Sequence, residues 1–568
     1  MRKPRLFPLL LATAMYLAIF GGKALAQPDT WVTSFGTNLT DTPEDLLVDA
    51  AGNTYVSGYF RDTLRIGNVE LASAGLTDVF LAKFDPNGQL AWAKRYGWYS
   101  NEFAHGLAFD NWGNVIMVGE YQDSSIFEGD TLWSGDTLYY GAPAETYDVF
   151  WVRVTPSGVM EKVWADGWFG SEAFYEVSVS PNDLLYFSGM YRTFNNWTFA
   201  SIYDVRGWGR GYDDAIWVRS DTAGVMDHKA IAEGRYVDRG HALDLIGDSL
   251  VVMGGTFQDT CYFIDSVDYR VTGFEDDVFV AAYGDTGAIR WVVVGGSHGV
   301  DHLNALITDA QGNSYFAGAF DSVFTMDGQT VTGSGMLDGY VGKIDMSGNL
   351  LWLRKFGGAG FDMVRDLRLM ASGDLLVTGY FQRTMDLGSG VTVTLADTTD
   401  QDAYVAKIDN NGNAIWLKNL GGDNPDVGVA VAEDAAGYIY AVGTFTGVGT
   451  FGQLSDTAEG GEDVYLLRMN ADGAVSAPGG NEWQPTAVAW PNPTRDMFSI
   501  RYELPVAADV QISLLDLQGR VLRNIDQGRQ ASGSGSATVD CQELAAGMYL
   551  YRLTAGKASV TGRIAVAR

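Results

Sequence analysis

Between Trp31 and Gly480 the chain repeats nearly the same string seven times, about 60 residues apart. A unit made only of strands and turns cannot bury its apolar faces alone, so it must stack on copies of itself. Three segments recur. One is an apolar strand ending in Gly and an aromatic or small residue, as in Tyr55 to Phe60, Ile116 to Tyr121 and Tyr315 to Phe320. One opens on Asp, as in Asp78-Val-Phe-Leu-Ala-Lys-Phe. One is a short strand, often with Trp and closing on Gly, as in Trp92 to Gly97 and Trp352 to Gly358.

Turn chemistry divides each repeat into four strands, A to D. In the first repeat these are predicted at Asp45 to Asp49, Thr54 to Phe60, Asp78 to Phe84 and Leu90 to Tyr96. Asp49-Ala-Ala-Gly52-Asn53 separates A from B, and Asp85-Pro86-Asn87-Gly88 separates C from D. Gly and Asn accept the positive φ of such tight connections, and Pro presets the corner. The expectation is an all-β chain with a seven-bladed β-propeller over residues 27–480. Trp31-Val-Thr-Ser-Phe-Gly36 reads as a strand D with no A, B or C before it, and the seventh repeat lacks its own. The N-terminal segment is therefore expected to complete the last blade and close the ring.

Arg2, Lys3 and Arg5 precede the apolar stretch Leu6 to Phe20, and Ala24-Leu25-Ala26 supplies a small-x-small cleavage pattern. Residues 1–26 thus read as a secretory signal peptide. No later apolar run is long enough for a membrane-spanning helix. The formal charge is -32; residues 1–26 hold four bases and no acids, so their removal takes it to -36. A surface this acidic repels phosphate backbones, which disfavours nucleic acid as a partner. Cys261 and Cys541 are too few for a disulfide framework, and five scattered histidines form no metal cluster.

Composition changes after Gly480. Residues 481–490 read as a linker and 491–568 as a small antiparallel sandwich, from alternating strings such as Met497 to Leu504 and Gly547 to Leu553. Pro491-Asn492-Pro493, Leu515-Asp516-Leu517-Gln518-Gly519-Arg520, Leu544 to Gly547 with Met548-Tyr549-Leu550-Tyr551, and the strand Lys557 to Arg568 make this tail closely resemble the type A sorting domain of the Bacteroidota type IX secretion system. The closing Ala567-Arg568 departs from the commoner Lys. The resemblance implies an Ig-like domain recognised by the outer-membrane translocon, with the cargo released or joined to the surface. Residues 29–480 also resemble bacterial propeller repeats of the SBBP kind, a likeness that speaks to fold and hardly to ligand.

Aligning the repeats exposes two sets of acids. Asp41, Glu102, Glu172, Asp238, Asp301, Asp362 and Asp426 lie eight residues before the A to B turn position. Asp78, Asp148, Asp214, Asp277, Asp338, Asp402 and Asp463 open strand C. Strands A and C run the same way, so both sets are expected on one face as two carboxylate rings. Converging carboxylates suit hard cations, which keeps calcium as a minor alternative to no cofactor. The structural alternative, preferred here, is that each acid accepts backbone N–H bonds and fixes a loop.

Three residues after each inner acid the repeats disagree: Glu44, His105, Tyr175, His241, Asn304, Arg365 and Val429. One structural position with varied polar identity is where a ligand can be read at the channel entrance, the alternative being a solvated rim. A second candidate is the aromatic B to C connections of repeats two and three, with Trp133, Tyr139, Tyr140, Trp197, Tyr203 and Trp208 able to stack on sugar faces or anchor a protein. They can equally cover those loops' own small cores. The chain has no Gly-x-Ser-x-Gly elbow or His-Glu-x-x-His helix, and its Gly-Gly pairs precede no helix. The reading is an exported binding or scaffold module, not an enzyme. Its partners are the type IX translocon, through residues 491–568, and a glycan or protein ligand. The alternatives are an extracellular polysaccharide lyase or hydrolase, for which the patterned acids offer a carboxylate pair, and a structural or adhesive surface component.

Overall fold

A computed structural model describes residues 30–133, 146–167, 171–192, 213–234, 236–263, 267–270, 275–397, 399–422, 424–475, 486–504, 508–516, 520–530, 533–542, 544–555 and 558–567. Residues 1–26, read above as a signal peptide, and 481–485 of the expected linker 481–490 lie outside these residues; the rest of that expected linker is instead a strand, Thr486–Trp490, paired with Met497–Leu504. The described chain is all-β.

The first repeat forms an antiparallel sheet of Thr42–Val48, Thr54–Phe60, Asp78–Phe84 and Leu90–Tyr96 in sequence order. Five more A–B–C–D sets follow in the same order. The seventh consists of Val427–Glu433, Ile439–Phe451 and Leu454–Met469, with Trp31–Phe35 as its fourth strand. Trp31 lies opposite Arg468 and Phe35 opposite Val464, so the N-terminal strand supplies the missing D. Each strand A also packs beside the strand A of the next sheet, and the seventh packs beside the first. The succession of sheets is closed.

Stacking on both sides explains the burial pattern. Asp78–Phe84 is buried at every position but Lys83, whereas the strand Leu90–Tyr96 farther from the axis is largely half-buried. The space between sheets seven and one is filled from both ends of the chain: Phe35, Tyr440, Val464 and Leu466 pack with Leu46, Val56, Phe60 and Phe80. At about 25 cal/mol per Å² of apolar surface, such interfaces carry most of the stability.

The recurrent strand-D tryptophans hold each sheet to the following one. The indole N–H of Trp31 donates to the carbonyl of Pro86 (3.0 Å), Trp92 to Pro156 (3.1 Å), Trp291 to Met346 (3.0 Å) and Trp352 to Asn410 (3.1 Å). The acceptor is always in the next sheet's C to D turn. The turn glycine lies on the ring: a Cβ at Gly88 would stand 2.7 Å from the Trp31 ring, and one at Gly348 2.8 Å from that of Trp291. Positive φ and this close approach both require glycine there.

Four strands per repeat is an incomplete description. The B to C connections form outer hairpins such as Thr63–Ile66 with Val69–Ala72 and Val323–Met326 with Gln329–Thr332. Their first strands pair with the end of the preceding sheet's strand D, as in Gly295 with Met326 and Gly234 with Cys261. Strand A also begins earlier than predicted, at Thr42, because it contains a bulge.

Residues 486–567 form a three-stranded sheet (Thr486–Trp490, Met497–Leu504, Gly533–Asp540) and a four-stranded sheet (Ala508–Leu515, Val521–Gln530, Gly547–Ala555, Ala558–Val566). Period-two alternation sends Phe498, Ile500, Tyr502, Ile512, Leu514 and Leu553 into one shared core.

Candidate functional site

The two acidic sets do not form two rings on an open face. They meet in pairs, and every member except the half-buried Asp277 is buried. The glycine that closes strand D stands between the two partners. A Cβ at Gly97 would lie 2.7 Å from both Asp78 and Glu102, and one at Gly357 2.7 Å from both Asp338 and Asp362. A Cβ at Gly421 would meet Asp426 at 2.6 Å and Asp402 at 2.7 Å, and the backbone N–H of Gly234 donates to Asp214 while its Cβ position faces Asp238. Asp277 and Asp301 hydrogen-bond each other.

In several of these acids one oxygen is held by the backbone of the preceding loop, while the other, as in Asp41, Asp301 and Asp463, is buried with no hydrogen-bond donor among the described residues. Asp301 accepts the N–H of Ser297 (2.6 Å), Asp362 that of Gly358 (2.6 Å), and Asp426 that of Gly422 (2.7 Å), each donor four residues earlier. Asp338 accepts from Ser334 and Asp463 from Glu459 in the same way. Backbone donors suit a carboxylate and repel a cation. Burial, reinforced by the facing acid, lifts Glu102, Asp301 and Asp426 to about 8 and Asp41 and Asp362 to about 7. Pairs of this kind retain a proton at neutral pH. Their backbone bonds tie these acids to the loop before them, and among the described residues no cluster of three or more His, Cys, Asp or Glu could hold a metal.

The seven divergent positions come together at the axis. Glu44, His105, Tyr175, His241, Asn304, Arg365 and Val429 all line one cavity of about 280 Å³. The reason is local. In every strand A the register slips at this position: between Pro43 and Asp45, Ala104 and Leu107, Phe174 and Glu176, Gly240 and Ala242, Leu303 and Ala305, Val364 and Asp366, and Gly428 and Ala430. A bulge inserts one residue without a partner and turns its side chain. Seven bulges thus aim seven side chains of six kinds inward.

Rings line one side of the cavity: Tyr175 lies 5.2 Å from His105 edge-on and 5.6 Å from His241, nearly parallel to it. Burial, with the charges of Arg239 and His302, pushes His241 down to about 3, so it is neutral; its Nε2 lies 3.1 Å from Thr256 Oγ1. Burial also opposes a charge on His105, but Glu120, 3.9 Å away, and Glu44 outweigh it and raise the imidazole. Asn304 donates to the Val364 carbonyl (2.7 Å).

A charged cluster sits just beyond the bulges. Arg368 contacts Asp45 (3.1 Å) and Asp366 (3.6 Å), and its charge is further favoured by Glu176 and Asp244. Asp45 accepts the N–H of Leu107 (2.8 Å) and Asp366 that of Val431 (2.9 Å), so these carboxylates also tie neighbouring strands together. Burial lifts Asp366 to about 6 against the pull of Arg368; burial and the charge of Asp45 lift Glu176 to about 8. The sequence reading missed this cluster. Arg368 occurs in one repeat only, and its partners come from four different sheets.

The aromatic loops fare differently. Trp133 ends an outer hairpin and is 70% exposed. It does not line the axial cavity. Tyr139, Tyr140, Trp197, Tyr203 and Trp208 lie outside the described residues.

Residues 488–567 match the secretion system C-terminal sorting domain. Over 73% of its length the chain is 20% identical to an uncharacterized WD repeat-containing protein of Acanthamoeba polyphaga mimivirus, covering 36% of that protein. Over 31% it is 26% identical to the regulatory protein FlaEY of Caulobacter vibrioides, covering 18%. The chain thus spans about a third or less of these curated relatives. Among solved structures it is similar to PorZ, a surface component of the type IX secretion system of Porphyromonas gingivalis, at 10% identity over 94% of this chain and all of that one, with TM-score 0.16. PorU of the same organism matches at 10% identity over 95% of this chain and 34% of that one, with TM-score 0.15.

Proposed function

We infer that the type IX secretion machinery recognises this chain through its sorting domain and exports it to the cell surface or extracellular space. No helix among the described residues is long and apolar enough to cross a membrane.

We propose that residues 27–480 are a seven-bladed β-propeller of the bacterial repeat kind, carried through the inner membrane by a signal peptide at 1–26. On the outside of the cell it works as a binding module, with the axial cavity as its ligand site. One observation carries this reading: the repeats keep the same framework of acids, strand glycines and turns, yet the seven residues their bulges point into one cavity are of six kinds, with only His occurring twice. A purely structural bulge would tolerate one residue type seven times. A site that reads an asymmetric ligand needs diversity. The test is a glycan array with the purified protein and with Val429→Trp, which fills the cavity from a buried edge. The variant loses the array signal if the cavity is the site and keeps it if the outer loops are.

Glu176 favours a second reading as a hydrolase or lyase. It is an acid held protonated near neutrality beside Tyr175, which suits a general acid. Turnover of any array ligand, abolished in Glu176→Gln with binding retained, would establish this alternative.

A further inference from the structure

We propose that the axial cavity recognises a compact ligand bearing a carboxylate, and that Arg365 is the group that receives it. This rests on the reading of the cavity as a ligand site.

The inference follows from which charges in the cavity are already engaged. Asp45 and Asp366 face Arg368 and each also accept a backbone N–H from the neighbouring strand, so neither is available to a cation. Arg365 differs. Among the described residues its guanidinium has no hydrogen bond and no ion pair within 4 Å, though its backbone sits at a bulge that turns it into the cavity. A guanidinium offers a planar fork of donors that matches a carboxylate, and leaving it unmatched in a confined space forfeits those bonds. Net charge opposes an incidental explanation: in a chain of formal charge -32, nonspecific anion attraction is absent.

Size and lining narrow the class. About 280 Å³ lies just under the usual ~300–1,000 Å³ of small-molecule sites, room for a ligand of about one sugar ring. The nearly parallel Tyr175 and His241 rings offer flat apolar surface, and the Asn304 amide is near for a hydroxyl. A hexuronate fits both features; a small hydroxy acid fits only the first. Glu44 is the internal competitor, a half-buried carboxyl that desolvation pushes upward while the charges of His105 and Arg365 pull the other way. A ligand carboxylate must share Arg365 with it, which gives the proposal a sign that a passive Arg–Glu contact lacks.

The experiment is calorimetric titration of the full chain with galacturonate, galactose and lactate. Galactose keeps the ring and lacks the carboxylate; lactate does the reverse. The expected result is that galacturonate binds at least tenfold more tightly than galactose. Arg365→Gln should weaken galacturonate by about 10- to 100-fold, Arg365→Lys by less, and Glu44→Gln should strengthen it. Lactate binding as well as galacturonate would support the carboxylate and identify its source as a free acid. Equal affinity for galactose and galacturonate, or unchanged galacturonate affinity in Arg365→Gln of normal melting temperature, overturns the proposal and leaves the cavity as a neutral-ligand site. Array signal that survives Val429→Trp overturns the underlying reading as well. If Arg365→Gln does not fold, the opposite signs expected of Arg365→Lys and Glu44→Gln decide the question.

Discussion

Asp463, from the last repeat, and Asp41, from the first, face each other across Gly36: a Cβ there would stand 2.4 Å from the Asp463 carboxylate and 3.0 Å from that of Asp41. Their sequence separation is the largest of any of the acid pairs, yet they occupy the same relation as Asp78 with Glu102 inside one stretch of chain. The pair therefore marks the seam, beside Trp31–Phe35 on Val464–Arg468 and the indole bond from Trp31 to Pro86.

The seam is the first place to test. Trp31→Ala removes a buried ring, its hydrogen bond to sheet one and its packing on Gly88, and should cost about 3–5 kcal/mol. Deleting residues 27–37 should go further, because it exposes the edge of Leu454–Met469. Denaturant unfolding followed by tryptophan fluorescence checks both. A deletion that melts like the intact chain would mean that the seventh sheet is sufficient with three strands.

The acid pairs impose a pH dependence opposite to the usual one. Glu102, Asp214, Asp301 and Asp426 sit at about 8, and Asp41, Asp277 and Asp362 at about 7, all above their values in an unfolded chain. The folded state thus holds more protons than the unfolded one between about pH 4 and 8. Stability should fall as pH rises through that window, so the melting temperature at pH 5.5 should exceed that at pH 9. Asp309 and Asp409, lowered by their turn hydrogen bonds, act the other way only in more acidic solution. Equal or higher melting temperature at pH 9 would show that the pairs are not protonated.

Gly97 and Gly357 combine φ values of +146° and +142° with a Cβ position 2.7 Å from two carboxyl groups. Alanine at either should destabilise by about 3 kcal/mol. At Gly113, also at positive φ but with open space around it, alanine should cost less, about 1 kcal/mol. Comparable losses at all three would show that backbone conformation alone, and not the carboxyl pair, demands glycine.

Removing residues 486–568 should leave the repeats folded and the protein retained in the periplasm, since the match to the sorting domain covers 488–567. Protease treatment of intact cells reads this directly: the full chain is cut or shed and the truncated chain is protected.

Much of this was legible in the sequence for identifiable reasons. Thr54–Phe60, Asp78–Phe84 and Leu90–Tyr96 fall where turn chemistry puts them, because Gly and Asn fix the corners. Strand A was misplaced because Glu44 is an extra residue that breaks the period of two. The outer hairpins are too short to leave a pattern. Both acid sets could be aligned, but their pairing depends on how the end of one sheet meets the start of the next, which no repeat contains. The divergent positions were visible by alignment; the Arg368 cluster was not, since it occurs only once.

The most direct measurement is a crystal structure of the protein with the strongest ligand from the glycan array. The ligand should occupy the axial cavity, within hydrogen-bond distance of Arg365 and against the Tyr175 and His241 rings. Ligand seated instead on the outer hairpin at Trp133, with the axial cavity empty, would contradict the assignment of the site.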